Sequence, residues 1–301
     1  MVIIMLLHNT RKLRQDDFKN EKELQTYFET NLKTILNYIF IDTEFSVGNF
    51  RIDTLAFDEE TKSFRIIEYK NVKNYSLIDQ GYTYLKLMLE RKADFVLQYN
   101  LKKGKSLTTK DIDWNQSKVI FVSPKYTQYQ LNASDFKNLP IDLIKVTKYE
   151  GNIIDIDFIQ KNSNIKVEDI YIGFEQKEVN KEVKVYTEED HFVNISQRIR
   201  DLYENLKERI LELGDIDIDV KKIYIAFKGI TNIVDVEIFK NYLVLTLNIK
   251  KGKLKDPFSI AEDISNIGHH GNGDYRVFIK NEDEIDNVIY LIKQSLQINK
   301  K

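Results

Sequence analysis

Three of the ionisable residues in the stretch FRIDTLAFDEETKSFRIIEYKN, Phe50 to Asn71, could do chemistry together: Asp53, Glu68 and Lys70. Two runs rich in β-formers flank the polar tetrapeptide EETK, a pattern that predicts a hairpin turning over Glu59 to Lys62. That turn pairs Asp58 with Ser63, Phe57 with Phe64, Leu55 with Ile66 and Asp53 with Glu68. Side chains alternate between the faces of a strand, so one face carries Asp53, Leu55 and Phe57 against Phe64, Ile66, Glu68 and Lys70. The turn end of this face is apolar, whereas the open end opposes two carboxylates with a lysine beside them. Like charges directly across a sheet cost up to about 1 kcal/mol, and more where water is excluded. Two arrangements offset that cost. In the first, Mg²⁺ or Mn²⁺ lies between Asp53 and Glu68, since such hard cations use one or two carboxylates plus water and phosphate oxygens. Lys70 then stands beside the metal, placed to orient or deprotonate a water. In the second, Lys70 simply neutralises Glu68 in a salt-bridge cluster at a sheet edge.

The elements around the hairpin decide what can reach it. Upstream, NEKELQTYFETNLKTIL reads as a helix, with Asn20 as N-cap, Glu23 completing a capping box, and Leu24, Phe28, Leu32 and Ile35 at helical spacing. Downstream, Ser76 and Asp79 form a second capping box, opening a helix through QGYTYLKLMLERK. Strands are expected at DFVLQYN, KVIFVSP, IDLIKVT and NIIDIDFI, and the apolar opening MVIIMLLHN reads as an N-terminal strand. The order predicts an α/β domain on a central mixed sheet flanked by helices over residues 1–160. Residues 161–185 turn polar and are expected as a linker. Residues 186–301 form a small α+β domain: a helix at ISQRIRDLYENLKERILELG, strands KIYIAFKG, NIVDVEIF, YLVLTLNIK and YRVFIK, a helix around DPFSIAEDISNIG, and a closing helix capped by Asn281.

With these elements in place, G-x-x-R-I-D followed by I-I-E-Y-K resembles the PD-(D/E)XK, restriction-endonuclease-like nuclease superfamily. The helix that follows carries Gln80 and Tyr84, four residues apart on one face, and this Q-x-x-x-Y is similar to the RecB-like and archaeal mismatch-nuclease branches. The usual proline before the aspartate is missing. The resemblance spans roughly residues 15 to 160. It implies a restriction-endonuclease-like fold and a Mg²⁺-dependent phosphodiesterase. Asp53, Glu68 and the Tyr69 backbone carbonyl then bind metal, Lys70 assists the attacking water, and Gln80 supports the site. A helix-one acid joins them: Glu21, on the face of Leu24, Gln25 and Phe28, is favoured over the capping Glu23 and over Glu29. Arg51, Lys73 and Tyr84 are candidate substrate contacts. The C-terminal half, with IGHHGNGDYRVFIKNEDEID, resembles a domain of unknown function that accompanies such nuclease domains.

The composition narrows the alternatives. The chain has 301 residues, 42% hydrophobic and 31% charged, and no cysteine, which excludes disulfide scaffolds, cysteine-held metals and thiol catalysis and agrees with a cytoplasmic setting. No segment approaches the roughly 20 apolar residues of a membrane span, so no membrane partner is expected. Net charge is −2, with no basic slab; LKKGKSLTTK is the best basic patch. Neither GxxxxGK[ST] nor GxGxxG occurs, so no nucleotide cofactor is expected. His269, His270 and Asp274 form a second candidate site, read chiefly as a structured turn because adjacent histidines in a loop need a third ligand to chelate. The expected activity is metal-dependent hydrolysis of DNA, with RNA as a further substrate class. The alternative is a non-catalytic nucleic-acid-binding or protein-interaction module on the same fold. The C-terminal domain is the place for a second copy or a protein partner.

Overall fold

The computed structural model describes residues 7–8, 11–70, 77–136, 138–163 and 174–299. The chain divides into two compact units, Met1–Val185 and Tyr186–Lys301. The first contains β1 (Leu7–His8), β2 (Arg11–Lys12), β3 (Gln15–Asp16), α1 (Glu21–Leu36), β4 (Ile39–Val47), β5 (Phe50–Asp58) and β6 (Ser63–Tyr69). It continues with α2 (Leu77–Glu90), α3 (Lys92–Lys103), β7 (Lys118–Ser123), α4 (Gln128–Ser134), β8 (Ile141–Tyr149), β9 (Ile153–Phe158) and α5 (Phe174–Glu182).

Its sheet runs β3-β8-β7-β6-β5-β4, with β9 on β8. Strands β4, β5 and β6 form an antiparallel meander, and β6, β7 and β8 are parallel. The hairpin register is the one its turn dictates, from Asp58↔Ser63 to Thr54↔Ile67. Helix α1 covers one face of the sheet. Its Leu24, Phe28 and Leu32 pack on Ala56, Ile67, Tyr69, Ile120 and Val122. The opposite face, with Leu55, Phe57, Phe64 and Ile66, is covered by α2 and α3. This is a mixed α/β layer arrangement in which helices from both sides converge on the hairpin.

Three expectations are corrected. DFVLQYN lies in helix α3, not in a strand: Phe95, Val96 and Tyr99 are buried on one helical face, and Gly104 closes the helix at φ 61°. Aromatic and β-branched composition mimicked a strand there, and the glycine cap was the better signal. Residues 161–185 are not merely a linker, since α5 lies within them and Val179 and Val183 are buried in the first unit's core. In the C-terminal unit, the segment around DPFSIAEDISNIG is not helical. The Asp256 carboxylate accepts the amides of Phe258 (3.2 Å) and Ala261 (2.8 Å), turning the chain into an edge strand. The expected N-terminal strand falls mostly outside the described residues, as do Ser76 of the second capping box and Lys73.

The second unit contains α6 (Glu188–His191), α7 (Gln197–Leu211), β10 (Asp217–Val220), β11 (Ile225–Lys228), β12 (Asn232–Ile238), β13 (Leu243–Leu247), β14 (Ala261–Asp263), β15 (Tyr275–Ile279) and α8 (Ile285–Asn299). Its antiparallel sheet runs β10-β11-β12-β13-β15-β14. Val234, Val236, Leu245 and Val277 bury one face against α7 and α8. No helix among the described residues is long and apolar enough to cross a membrane.

Candidate active site at the open end of the hairpin

Beyond the Thr54–Ile67 pair, side chains take over from the ladder. The Asp53 N–H donates to Glu68 Oε1 (3.1 Å), and the Tyr69 N–H donates to Asp53 Oδ2 (3.0 Å). Each carboxylate therefore accepts an amide of the opposite strand. Lys70 Nζ lies 3.3 Å from Glu68 Oε2. Gln80 Nε2 donates to the same oxygen (3.1 Å) and lies 3.2 Å from the Tyr84 hydroxyl, which donates to the Arg51 carbonyl at 3.4 Å. Gly81 explains how α2 comes close enough: a Cβ there would meet Ile141 Cδ1 at 2.4 Å. The glycine lets the helix lie on the sheet with Gln80 above Glu68.

Electrostatics at this end are unfavourable to two charges. Glu68 is 2% exposed. Burial, then the Asp53 charge, pushes its carboxyl up to about 7 against the pull of Lys70. Burial also raises Asp53, aided by Glu44 and Glu21, while the Tyr69 amide and Lys70 oppose the rise. Both shifts have the same first cause, loss of water around the ionised form.

The donor set fits a hard divalent cation. Among the described residues, two carboxylates share one ammonium, leaving net negative charge when both ionise, and Gln80 Oε1 is buried without a hydrogen-bond partner. A buried amide oxygen left unpaired is costly, and a cation or its bound water would satisfy it. Among the described residues, no three or more His, Cys, Asp or Glu side chains form a metal-holding group. A site here consequently relies on two carboxylates, with amide, backbone and water oxygens completing the shell, the usual recipe for Mg²⁺.

The remaining expected residues divide between neighbours and bystanders. Glu21 is exposed, and its charge reaches Asp53. Glu23 is the capping residue, accepting from the Lys19 N–H (2.6 Å) and pairing with Lys148 Nζ (2.8 Å). Glu29 accepts from Thr54 Oγ1 (2.6 Å) and from Gln25 Nε2 (2.9 Å), on the α1 side of the sheet. Arg51 pairs with Glu44 at 2.8 Å rather than with Glu68. In the basic stretch that starts in the last turn of α3, Lys102 pairs with Asp42 at 2.8 Å.

Residues His269, His270 and Asp274 do not assemble into a ligand set. Asp274 Oδ2 accepts the Lys251 N–H (2.7 Å), and the exposed His269 Nδ1 sits 3.1 Å from the His270 carbonyl. The glycines around them serve the turn. Gly271 has φ 81°, and a Cβ there would lie 2.8 Å from Asp235 Oδ2; at Gly273, φ 115°, one would lie 1.8 Å from the Leu247 carbonyl. Asp235 clamps the loop by accepting the Asn272 N–H at 2.6 Å.

An uncharacterised protein of Haemophilus influenzae strain Rd is 46% identical over 293 residues, covering 95% of this chain and 96% of that protein. The chain belongs to that protein's family. Its C-terminal unit is a DUF5655 domain, a domain of unknown function matched over residues 188–299. Among solved structures, a chain of the EndoMS-dsDNA2 complex is similar over 39% of this chain and 43% of that chain, at 16% identity and a TM-score of 0.26, too partial a likeness to bear on the site. In this chain, then, a DUF5655 domain follows an α/β unit that carries the carboxylate pair.

One buried residue in the site escaped sequence reasoning. Gln25, on α1, donates to the Asp53 carbonyl at 2.7 Å. Its only signal was its place on the buried face of the helix, four residues after the exposed Glu21.

Proposed function

We propose that the N-terminal unit is a metal-dependent nuclease that hydrolyses phosphodiester bonds in DNA, with Mg²⁺ or Mn²⁺ bound by Asp53, Glu68 and the Tyr69 carbonyl. The observation that carries the reading is the pair of carboxylates in the gap between β5 and β6. Both are raised by burial, with one ammonium nearby and an unpaired Gln80 oxygen beside them among the described residues. A stable fold has no need of two charges here, because an amide at either position would still accept the cross-strand N–H, from Tyr69 at position 53 or from Asp53 at position 68. Maintaining two charges where water is scarce favours a role that uses them.

When bound, the cation would neutralise phosphate charge and acidify a coordinated water. The chain's own groups do the rest. Asp53 and Glu68 supply anionic oxygens held in place by backbone amides of the opposite strand. Lys70, 3.3 Å from Glu68 Oε2, presents an ammonium to the same region, where it can orient the attacking water or offset charge developing on the phosphate. Gln80 fixes Glu68 through its amide N–H and leaves its oxygen for a water or the cation. A cleavage panel tests the proposal: duplex, single-stranded, branched and mismatched DNA, with Mn²⁺, against Asp53→Ala and Lys70→Ala. Metal-dependent cutting lost in both variants supports it. Equal cutting by either variant refutes the site. Mn²⁺ binding with no cleavage of any substrate would instead favour a binding module.

A further inference from the structure

Asp53 stands at a break in the sheet. Toward β6 the ladder ends at Thr54–Ile67. Toward β4, Glu44 lies between the paired residues Thr43 and Phe45 in a left-handed conformation at φ 54°. Side chains replace the missing ladder: Glu68 Oε1 accepts the Asp53 N–H at 3.1 Å, and Gln25 Nε2 donates to the Asp53 carbonyl at 2.7 Å. Gln25 is 3% exposed and constrained from every side. Its Nε2 also lies 2.9 Å from Glu29 Oε1 and 3.0 Å from Thr43 Oγ1, while its Oε1 accepts from Lys22 Nζ at 3.0 Å. The Asp53 contact is the shortest of the four.

We propose that Gln25 is the positioning residue that holds the Asp53 backbone, and through it the carboxylate, at the spacing that shared coordination of a divalent cation with Glu68 requires. The inference rests on the metal reading above. Bond lengths to such a cation tolerate only a few tenths of an ångström. A ligand whose backbone is freed from the ladder needs another anchor, and groups that orient metal ligands typically contribute 10- to 100-fold in metal affinity. Glu29 acts one step further back, by orienting the Gln25 amide.

The test is calorimetric titration of the full chain with Mn²⁺ in parent, Gln25→Met, Gln25→Glu and Thr43→Val. Gln25→Met keeps the volume and removes the donor; affinity should fall about tenfold or more. Gln25→Glu also removes the donor, but its added negative charge alone would tighten cation binding. Weaker binding in that variant therefore isolates positioning, and it stands in should the methionine variant not fold. Thr43→Val removes a different contact of the same amide and should leave affinity within about twofold. Parent-like affinity in Gln25→Glu, or an equal loss in Thr43→Val, would overturn the inference while leaving the metal reading intact. No binding by the parent would sink both.

Discussion

Replacing Glu68 by Gln should make the metal-free protein more stable at alkaline pH. The Glu68 carboxyl has a folded pKa of about 7 against an ordinary 4.5, with burial as the first cause. The folded state thus keeps a proton that the unfolded chain releases, so stability falls as pH rises from about 4.5 to about 7 and stays low above that. At about 1.4 kcal/mol per tenfold change in proton affinity, the difference between about 7 and 4.5 amounts to roughly 3 kcal/mol. With the side chain only 2% exposed, solvent screening removes little of it. Glutamine keeps an acceptor for the Asp53 N–H and carries no charge to desolvate, while giving up the Glu68 Oε2 acceptor that Lys70 and Gln80 share. In EDTA at pH 8, Glu68→Gln should therefore gain about 2–3 kcal/mol over the parent, and at pH 4.5 the two should agree within about 1 kcal/mol. Urea unfolding measures this directly. Trp114, the single tryptophan, stacks on Phe64 at 5.5 Å and reports on the first unit alone. Saturating Mn²⁺ should reverse the order by stabilising the parent and not the variant. A variant no more stable than the parent at pH 8, or equally stabilised at both pH values, would refute the electrostatic reasoning.

Three further outcomes are expected. Lys70→Ala should lower cleavage by about 10²-fold or more while leaving Mn²⁺ affinity within a few-fold, read from kcat and calorimetry; a matching collapse of affinity would assign the lysine to metal binding instead. Asp58→Ala strands Arg65, whose guanidinium pairs with Asp58 at 2.7 Å with side chains only 2% and 4% exposed. Leaving that charge buried should cost about 3–5 kcal/mol in urea unfolding followed at Trp114, and a cost under about 1 kcal/mol would mean the pair is solvated. Gly273→Ala, at φ 115° with a Cβ 1.8 Å from the Leu247 carbonyl, should destabilise the C-terminal unit by about 2–4 kcal/mol, seen as faster amide exchange in β13 and β15.

The hairpin was legible because its rules are local. A polar tetrapeptide fixed the turn, the alternation of Leu55 and Phe57 with Phe64 and Ile66 fixed the face, and the period of two carried the register to Asp53 and Glu68. Gln80 and Tyr84 came from the resemblance to the nuclease pattern, with helical spacing placing them on one face. What failed depended on distant contacts or on competing signals. Phe95, Val96 and Tyr99 suit strand and helix alike, and the burying surface decided for the helix. Gln25 reaches the Asp53 carbonyl where Glu44 in the neighbouring strand is left-handed, a tertiary arrangement without a local sequence mark. Arg51, a candidate substrate contact, pairs with Glu44. The paired histidines lie in a structured turn, the reading favoured for them, and the glycines there answer to Asp235 and the Leu247 carbonyl.

Crystals grown with Mn²⁺ and measured for anomalous scattering test the shared cation most directly. The account predicts a peak about 2 Å from carboxylate oxygens of both Asp53 and Glu68, lost in Glu68→Gln. A map with no peak there, or with Lys70 bridging the two carboxylates in place of an ion, would contradict it.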